Sequence, residues 1–228
     1  MIRFIFLDLD DTLLDFGWAE RRALSRAYAD MGSELTDEIY ARYHAVNQDF
    51  WERFERGEIS RDTLLVERHR VLFSELGLPF SPEECERLYR SHLGEGHHFV
   101  EGAEALLAAL APKYRLFLAS NGVIDTQYSR LESAGIGHYF EKIFISDELG
   151  VSKPDPAFFA ACFSAIDGFH REEALMVGDS LTSDILGGSN AGIRTCWLNP
   201  AGKPRKCGIA PDYEIQRLSA LPGLLAAL

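Results

Sequence analysis

The sequence predicts an α/β protein, a doubly wound parallel sheet interrupted by an inserted helical bundle. Three observations carry this. Residues 2–9 hold a continuous apolar run, Phe4-Ile5-Phe6-Leu7, as expected of a strand buried on both faces of a parallel sheet. From about residue 100 onward, short strand patterns alternate with helical ones, the mark of successive βα units. Between these regions, residues 15–97 carry four helical patterns in succession with no strand signal.

Further strands are expected over 115–119, 142–145, 174–177 and 194–198, with a last short one at 213–215. The helical pattern over 102–110 stops before Pro112, and that over 124–134 stops at Gly135, a residue suited to a left-handed helix end. Asp155-Pro156 reads as an N-cap followed by proline at the first helical position. In the inserted block, Ile39, Tyr43, Val46, Phe50 and Phe54 keep one helix face apolar. A third helix is expected from near Ser60 to Leu76, stopping at Gly77, and Ser81-Pro82-Glu83-Glu84 opens a fourth as a capping box. The expected organisation is a core of residues 1–14 and 98–228 and a helical cap of residues 15–97, with hinges near 14–17 and 93–99 where Gly17, Gly94 and Gly96 stand.

Hydrophobic residues make up 46% and charged residues 25% of the 228, an ordinary globular balance. The formal charge of −12 repels polyphosphate backbones, which disfavours nucleic acid polymers as partners but leaves room for one phosphate in a local pocket. Cys85, Cys162, Cys196 and Cys207 are scattered without metal-ligand spacing, as in a reducing compartment. The apolar N-terminal run ends in Asp8, Asp10 and Asp11, so neither a signal peptide nor a membrane span is expected, and a cytoplasmic location follows by default.

Four polar segments each follow a predicted strand, the edge at which open α/β sheets bind ligands. In Asp8-Leu9-Asp10-Asp11-Thr12, Asp8 and Asp10 are two apart and face one side as the strand ends. Two carboxylates held together repel, and a divalent cation relieves this; hard oxygen ligands suit Mg²⁺. Ser120-Asn121-Gly122 offers a hydroxyl and backbone N–H groups to phosphate oxygens, though alone it is an ordinary turn. Lys153, between Val151-Ser152 and Pro154-Asp155-Pro156, is by itself a surface lysine in most cases, but here it can neutralise a carboxylate or a phosphoryl group. In Gly178-Asp179-Ser180-Leu181-Thr182-Ser183-Asp184, Asp179 falls at a strand end in reach of a metal, and Asp184 can hold the metal's waters or Lys153. Read alone, that segment is a helix-capping loop.

Taken together, Asp8-Leu9-Asp10-Asp11-Thr12, Ser120-Asn121, Lys153 and Gly178-Asp179 with Asp184 resemble the four signature segments of the haloacid dehalogenase-like superfamily, in order and across essentially the whole chain. The chain is similar within it to bacterial pyrimidine 5′-nucleotidases. Ala45-Val46-Asn47, Trp51 and Gly57-Glu58-Ile59-Ser60 carry this in the cap. Ile145 to Pro154, Asp184-Ile185-Leu186-Gly187-Gly188, Asn190-Ala191-Gly192 and Thr195-Cys196-Trp197-Leu198-Asn199 carry it in the core. The resemblance implies a Rossmann-like catalytic core and a phosphatase that hydrolyses a small-molecule phosphomonoester through an aspartyl-phosphate. Asp8 is then the nucleophile, Asp10 the general acid and base, and Lys153 and Ser120 the phosphoryl holders, with help from the Asn121 N–H. Mg²⁺ is held by Asp8, the Asp10 carbonyl and Asp179, with Asp184 just outside.

Asn47 and Trp51, four apart on one helix face, are candidates for contact with a leaving group. Equally, Trp51 packs the bundle and Asn47 satisfies a neighbouring polar group. Phe16 lines an entrance or anchors a hinge. The adjacent His97 and His98 point apart, which speaks against a shared metal. A phosphoglycolate or sugar-phosphate phosphatase uses the same core chemistry and stays open. A 2-haloacid dehalogenase would need neither Asp10 nor Asp179, and a binding protein without catalysis would usually lack one of the carboxylates.

Overall fold

The computed structural model describes residues 1–205 and 208–228; Cys207 lies outside the described residues. The chain divides into two compact units, Met1–Phe16 with His97–Leu228, and Gly17–Gly96. The first is built on six strands, β1 (Phe4–Leu7), β2 (Arg115–Ser120), β3 (Lys142–Ile145), β4 (Ala174–Gly178), β5 (Arg194–Leu198) and β6 (Tyr213–Ile215), in the order β3-β2-β1-β4-β5-β6. All neighbours are parallel, and Leu7 at the end of β1 stands level with Leu118 of β2 and Val177 of β4. The order runs outward from β1 in both directions, so the crevice beyond its C-terminal end is the topological switch point. β1 is shorter than the apolar run. Asp8 N still donates to Val177 O at 3.0 Å, but the Leu9 carbonyl already takes Leu13 N and Leu14 N, both at 2.9 Å, and the chain turns away.

The second unit holds four helices, α1 (Phe16–Asp30, whose first residue belongs to the core unit), α2 (Asp37–Glu55), α3 (Arg61–Leu76) and α4 (Pro82–Gly94). Thr36, Ser60 and Ser81 cap α2, α3 and α4, each hydroxyl accepting a backbone N–H of the first turn. Gly77 ends α3 with φ 63°, as expected of a glycine stop. Val46, Phe50 and Leu64 form one apolar cluster, and the Tyr28 ring lies 6.3 Å from that of Phe73.

The core helices are α5 (Ala103–Leu110), α6 (Ile124–Ala134), the single turn α7 (Ser146–Leu149), α8 (Pro156–Ser164), α9 (Leu186–Asn190) and α10 (Leu221–Ala226). Alternation along the strands separates two cores. Ile5, Leu7, Leu118 and Val177 pack with Leu106, Leu131 and Leu225, whereas Phe4, Phe6, Phe117 and Met176 pack with Phe158, Phe159 and Cys162. Each such side chain contributes roughly 1.5–3 kcal/mol by leaving water. Among the described residues no helix is long and apolar enough to cross a membrane.

Candidate active site

Asp8 is the first residue past β1 and is buried at the switch point. Leu9 turns into the apolar core, which sends Asp10 back toward the same edge. Asp11 adopts φ 56°, a left-handed conformation that aspartate tolerates better than most residues. Its carboxylate accepts Phe16 N at 2.8 Å and ties the loop shut. Thr12 Oγ1 donates to Asp8 Oδ2 at 3.4 Å.

Lys153 is 1% exposed, so it is no surface lysine. Its Nζ donates to Asp8 Oδ1 at 2.8 Å, Asp184 Oδ1 at 2.6 Å and Ala119 O at 2.5 Å, three acceptors for three N–H groups. Asn121 fixes its backbone: Oδ1 takes Lys153 N at 2.9 Å and Nδ2 gives to Lys153 O at 2.8 Å. Asp184 arrives through a wide turn over Leu181–Ile185, where Ser180 O accepts both Asp184 N and Ile185 N. Gly178 is required beneath it, because a Cβ there would overlap the Asp184 carboxylate.

Carboxylate oxygens of Asp8, Asp179 and Asp184 all lie within 4.8 Å of one another. Burial pushes the Asp8 carboxyl up to about 8, with Asp184 and Asp10 adding to the rise against the pull of Lys153. Burial also holds Asp179 well above the ordinary carboxylate range, reinforced by Asp184, Asp8 and Asp11. Burial alone would lower the Lys153 ammonium, but Asp184 and Asp8 together raise it above its ordinary value. One lysine against three crowded carboxylates leaves the site short of positive charge. A small hard cation fits that deficit and this all-oxygen donor set.

The sequence-derived residues fall as follows. Asp8, Lys153, Asp179 and Asp184 come together, and Asp184 stands among the potential ligands rather than outside them. The Asp10 carboxylate turns elsewhere: Oδ2 accepts Gln127 Nε2 at 2.8 Å, and Oδ1 pairs with Arg130. Ser120 Oγ accepts Gly122 N at 3.1 Å and Gln127 Nε2 at 2.7 Å, and its own O–H is a further donor. The Asn121 side chain serves Lys153 as described. Phe16 lies under the Arg130 guanidinium, 5.8 Å from ring centroid to guanidinium carbon.

Within the cap, Asn47 gives Nδ2 to Glu20 Oε1 at 2.7 Å and takes Arg68 Nη1 on Oδ1 at 2.8 Å. Arg68 continues to Glu86 at 2.6 Å, which His69 Nε2 meets at 3.0 Å. Trp51 packs beside the Val46 cluster, its ring edge-on to Phe54 at 5.8 Å. Both side chains are thus engaged inside the cap, as the packing alternative has it. Gln127 and Arg130 are not among the residues that the sequence motifs mark. The available signal was a glutamine and an arginine three apart on a helix directly after Ser120-Asn121-Gly122.

A family model for haloacid dehalogenase-like hydrolases matches residues 2–192. The chain belongs to that family. It is 40% identical to the HAD-hydrolase YfnB of Bacillus subtilis over 98% of its own length and 95% of that protein. A crystal structure of YfnB bound to magnesium superimposes with a TM-score of 0.95 and covers 98% of both chains. The pyrimidine 5′-nucleotidase PynA of Streptococcus pneumoniae is 36% identical over 93% of this chain and 90% of its own. The pyrimidine 5′-nucleotidase YjjG of Escherichia coli is 34% identical over 97% and 96%.

Proposed function

We propose that this hydrolase is a Mg²⁺-dependent phosphatase of pyrimidine nucleoside 5′-monophosphates that works through an aspartyl-phosphate on Asp8. The observation that carries the reading is the bridge of Lys153 between Asp8 and Asp184, with Asp179 alongside. Asp8 is the carboxylate placed for in-line attack: its Oδ–P bond forms as the ester P–O bond breaks. Asp10 gives the leaving oxygen its proton and later takes one from the water that opens the acyl phosphate. Lys153 and the O–H of Ser120 hold the phosphoryl oxygens, and the Asn121 side chain keeps Lys153 in place. Asp8, Asp179 and the Asp10 carbonyl would hold the magnesium ion, with Asp184 beside them. When bound, the ion offsets the charge of two anions brought together and polarises the phosphoryl group.

Magnesium is supported by the donor set and by the magnesium-bound YfnB structure. The substrate class is supported by the names of PynA and YjjG. Phosphate release with Mg²⁺ across dUMP, dTMP, UMP, dAMP, phosphoglycolate and glucose phosphates tests both. Preference for the pyrimidine nucleotides is expected. Preference for phosphoglycolate or a sugar phosphate would keep the chemistry and overturn the substrate class, and release from none would overturn the phosphatase reading.

A further inference from the structure

Gln127 and Arg130 lie three apart on α6, so their side chains share a face. Both are buried, Arg130 completely. Burying a guanidinium is costly unless it is paired and hydrogen-bonded, and partners of this one include Asp10 Oδ1 and, at 3.1 Å, Gln127 Oε1. The Gln127 amide nitrogen bridges Asp10 Oδ2 at 2.8 Å and Ser120 Oγ at 2.7 Å. Each oxygen of Asp10 therefore takes one donor from α6. Each keeps a second lone pair able to carry a travelling proton.

The frame around this pair is tight. The Arg130 guanidinium sits over the Phe16 ring, and Phe16 is itself tied to Asp11. A Cβ at Gly122 would overlap the Gln127 amide, so the glycine after Ser120-Asn121 makes room for Gln127. Asp8, by contrast, takes its hydrogen bonds from Lys153 and Thr12. The two aspartates of one short loop are held by separate sets of side chains.

We propose that Gln127 and Arg130 are positioning residues for Asp10, fixing its carboxyl for proton transfer and coupling it through Gln127 to the phosphoryl-holding Ser120. This rests on the reading of Asp10 as the acid and base of a phosphatase. In the first step the Asp8 O–P bond forms, the ester P–O bond breaks, and the Asp10 proton moves to the leaving oxygen. In the second, water oxygen bonds to phosphorus, the Asp8 O–P bond breaks, and the water proton returns to Asp10. An alkoxide needs the first proton, whereas p-nitrophenolate leaves without it.

The test compares Arg130→Met, Gln127→Leu, Arg130→Lys and Gly122→Ala with wild type on two esters. One is p-nitrophenyl phosphate and the other is the alkyl phosphate that wild type turns over fastest in the panel above. Thermal unfolding is measured in parallel, and if Arg130→Met does not fold, the other three carry the same comparison. The expected result is a fall in kcat for the alkyl ester on the order of 100-fold, the share of a positioned acid. For p-nitrophenyl phosphate the expected fall, read in the burst of p-nitrophenolate that precedes the water step, is under about tenfold, since that ester forgoes the proton in the first step. KM should change little for either, and Arg130→Lys should recover part of the loss. Equal losses on both esters in the leaving-group step, or no loss on either, would overturn the positioning role while leaving the phosphatase reading intact. A wild type inactive on both esters would overturn that reading, and the positioning role with it.

Discussion

The ammonium of Lys153 lies 2.8 Å from Asp8, a residue 145 positions earlier, and 2.6 Å from Asp184 on its other side. One buried cation thus spaces two carboxylates that would otherwise repel. Replacing it by an apolar side chain should affect stability and turnover together. Lys153→Met should lose turnover by on the order of 100-fold or more, the scale of a removed transition-state charge partner. Breaking a buried pair on one side costs about 3–5 kcal/mol. Urea unfolding and phosphate release on the same preparation check both.

Gly178 provides a separate handle on the same cluster. Gly178→Ala places a methyl group where the Asp184 carboxylate now lies, so that carboxylate must leave Lys153. A loss of turnover with only a modest fall in Tm is expected, because the strand end itself can keep its ladder. Turnover equal to wild type would show that Asp184 is not needed where it stands.

Magnesium should stabilise the fold. A ligand present at a hundred times its dissociation constant adds about 2.7 kcal/mol when it binds only the folded state. A rise in Tm with Mg²⁺, reversed by EDTA, is expected for wild type and should vanish in Asp179→Asn. An equal rise in that variant would place the cation elsewhere.

The cap carries its own pH dependence. Burial would raise the Glu86 carboxyl, but Arg68 and His69 more than offset this and hold it below its ordinary 4.5. Burial pushes the His69 imidazole below 6.5. Its Nε2 faces Glu86 and its Nδ1 lies 3.5 Å from Cys85 Sγ, an arrangement suited to the neutral ring. Both folded values lie below the unfolded ones, so both groups contribute stability above those values that is lost as pH falls. Acid unfolding should therefore begin below about pH 6.5 through His69 and deepen below 4.5 through Glu86. Circular dichroism melts at stepped pH check this, and His69→Phe should remove the first component. Asp8 and Asp179, held above their ordinary values, change stability in the opposite sense in both proteins, so a Tm difference between wild type and His69→Phe that stays constant from pH 7 to 5 would contradict it.

The fold was legible because its signals are local and repeated. The apolar run of β1, the glycine stops at Gly77 and Gly135, and the caps at Ser60 and Ser81 each act within a few residues of themselves. Asp8, Lys153, Asp179 and Asp184 were legible for a related reason: each stands just past a strand or in a proline- or glycine-marked loop. What escaped depends on distance in sequence. Gln127 and Arg130 read as ordinary polar positions of a helix until α6 is laid against the Asp10 loop. Asn121 offers an amide in any turn, and only the fold shows that it clamps the backbone of Lys153. The wide turn over Leu181–Ile185 has no composition of its own. It follows from bringing Asp184 back over Gly178.

The central claim is a phosphoryl group carried by Asp8, and the most direct measurement is a rapid-quench experiment on Asp10→Asn with p-nitrophenyl phosphate and Mg²⁺. This ester leaves without a proton, but the water step lacks its base, so the intermediate should accumulate. The account predicts a burst of p-nitrophenolate matching the number of active sites, with the phosphoryl group found on Asp8 in the acid-quenched peptide. It also predicts no burst when Asp8 is changed to Asn. Phosphate released at the wild-type rate by Asp8→Asn, with no label on that residue in any variant, would contradict it.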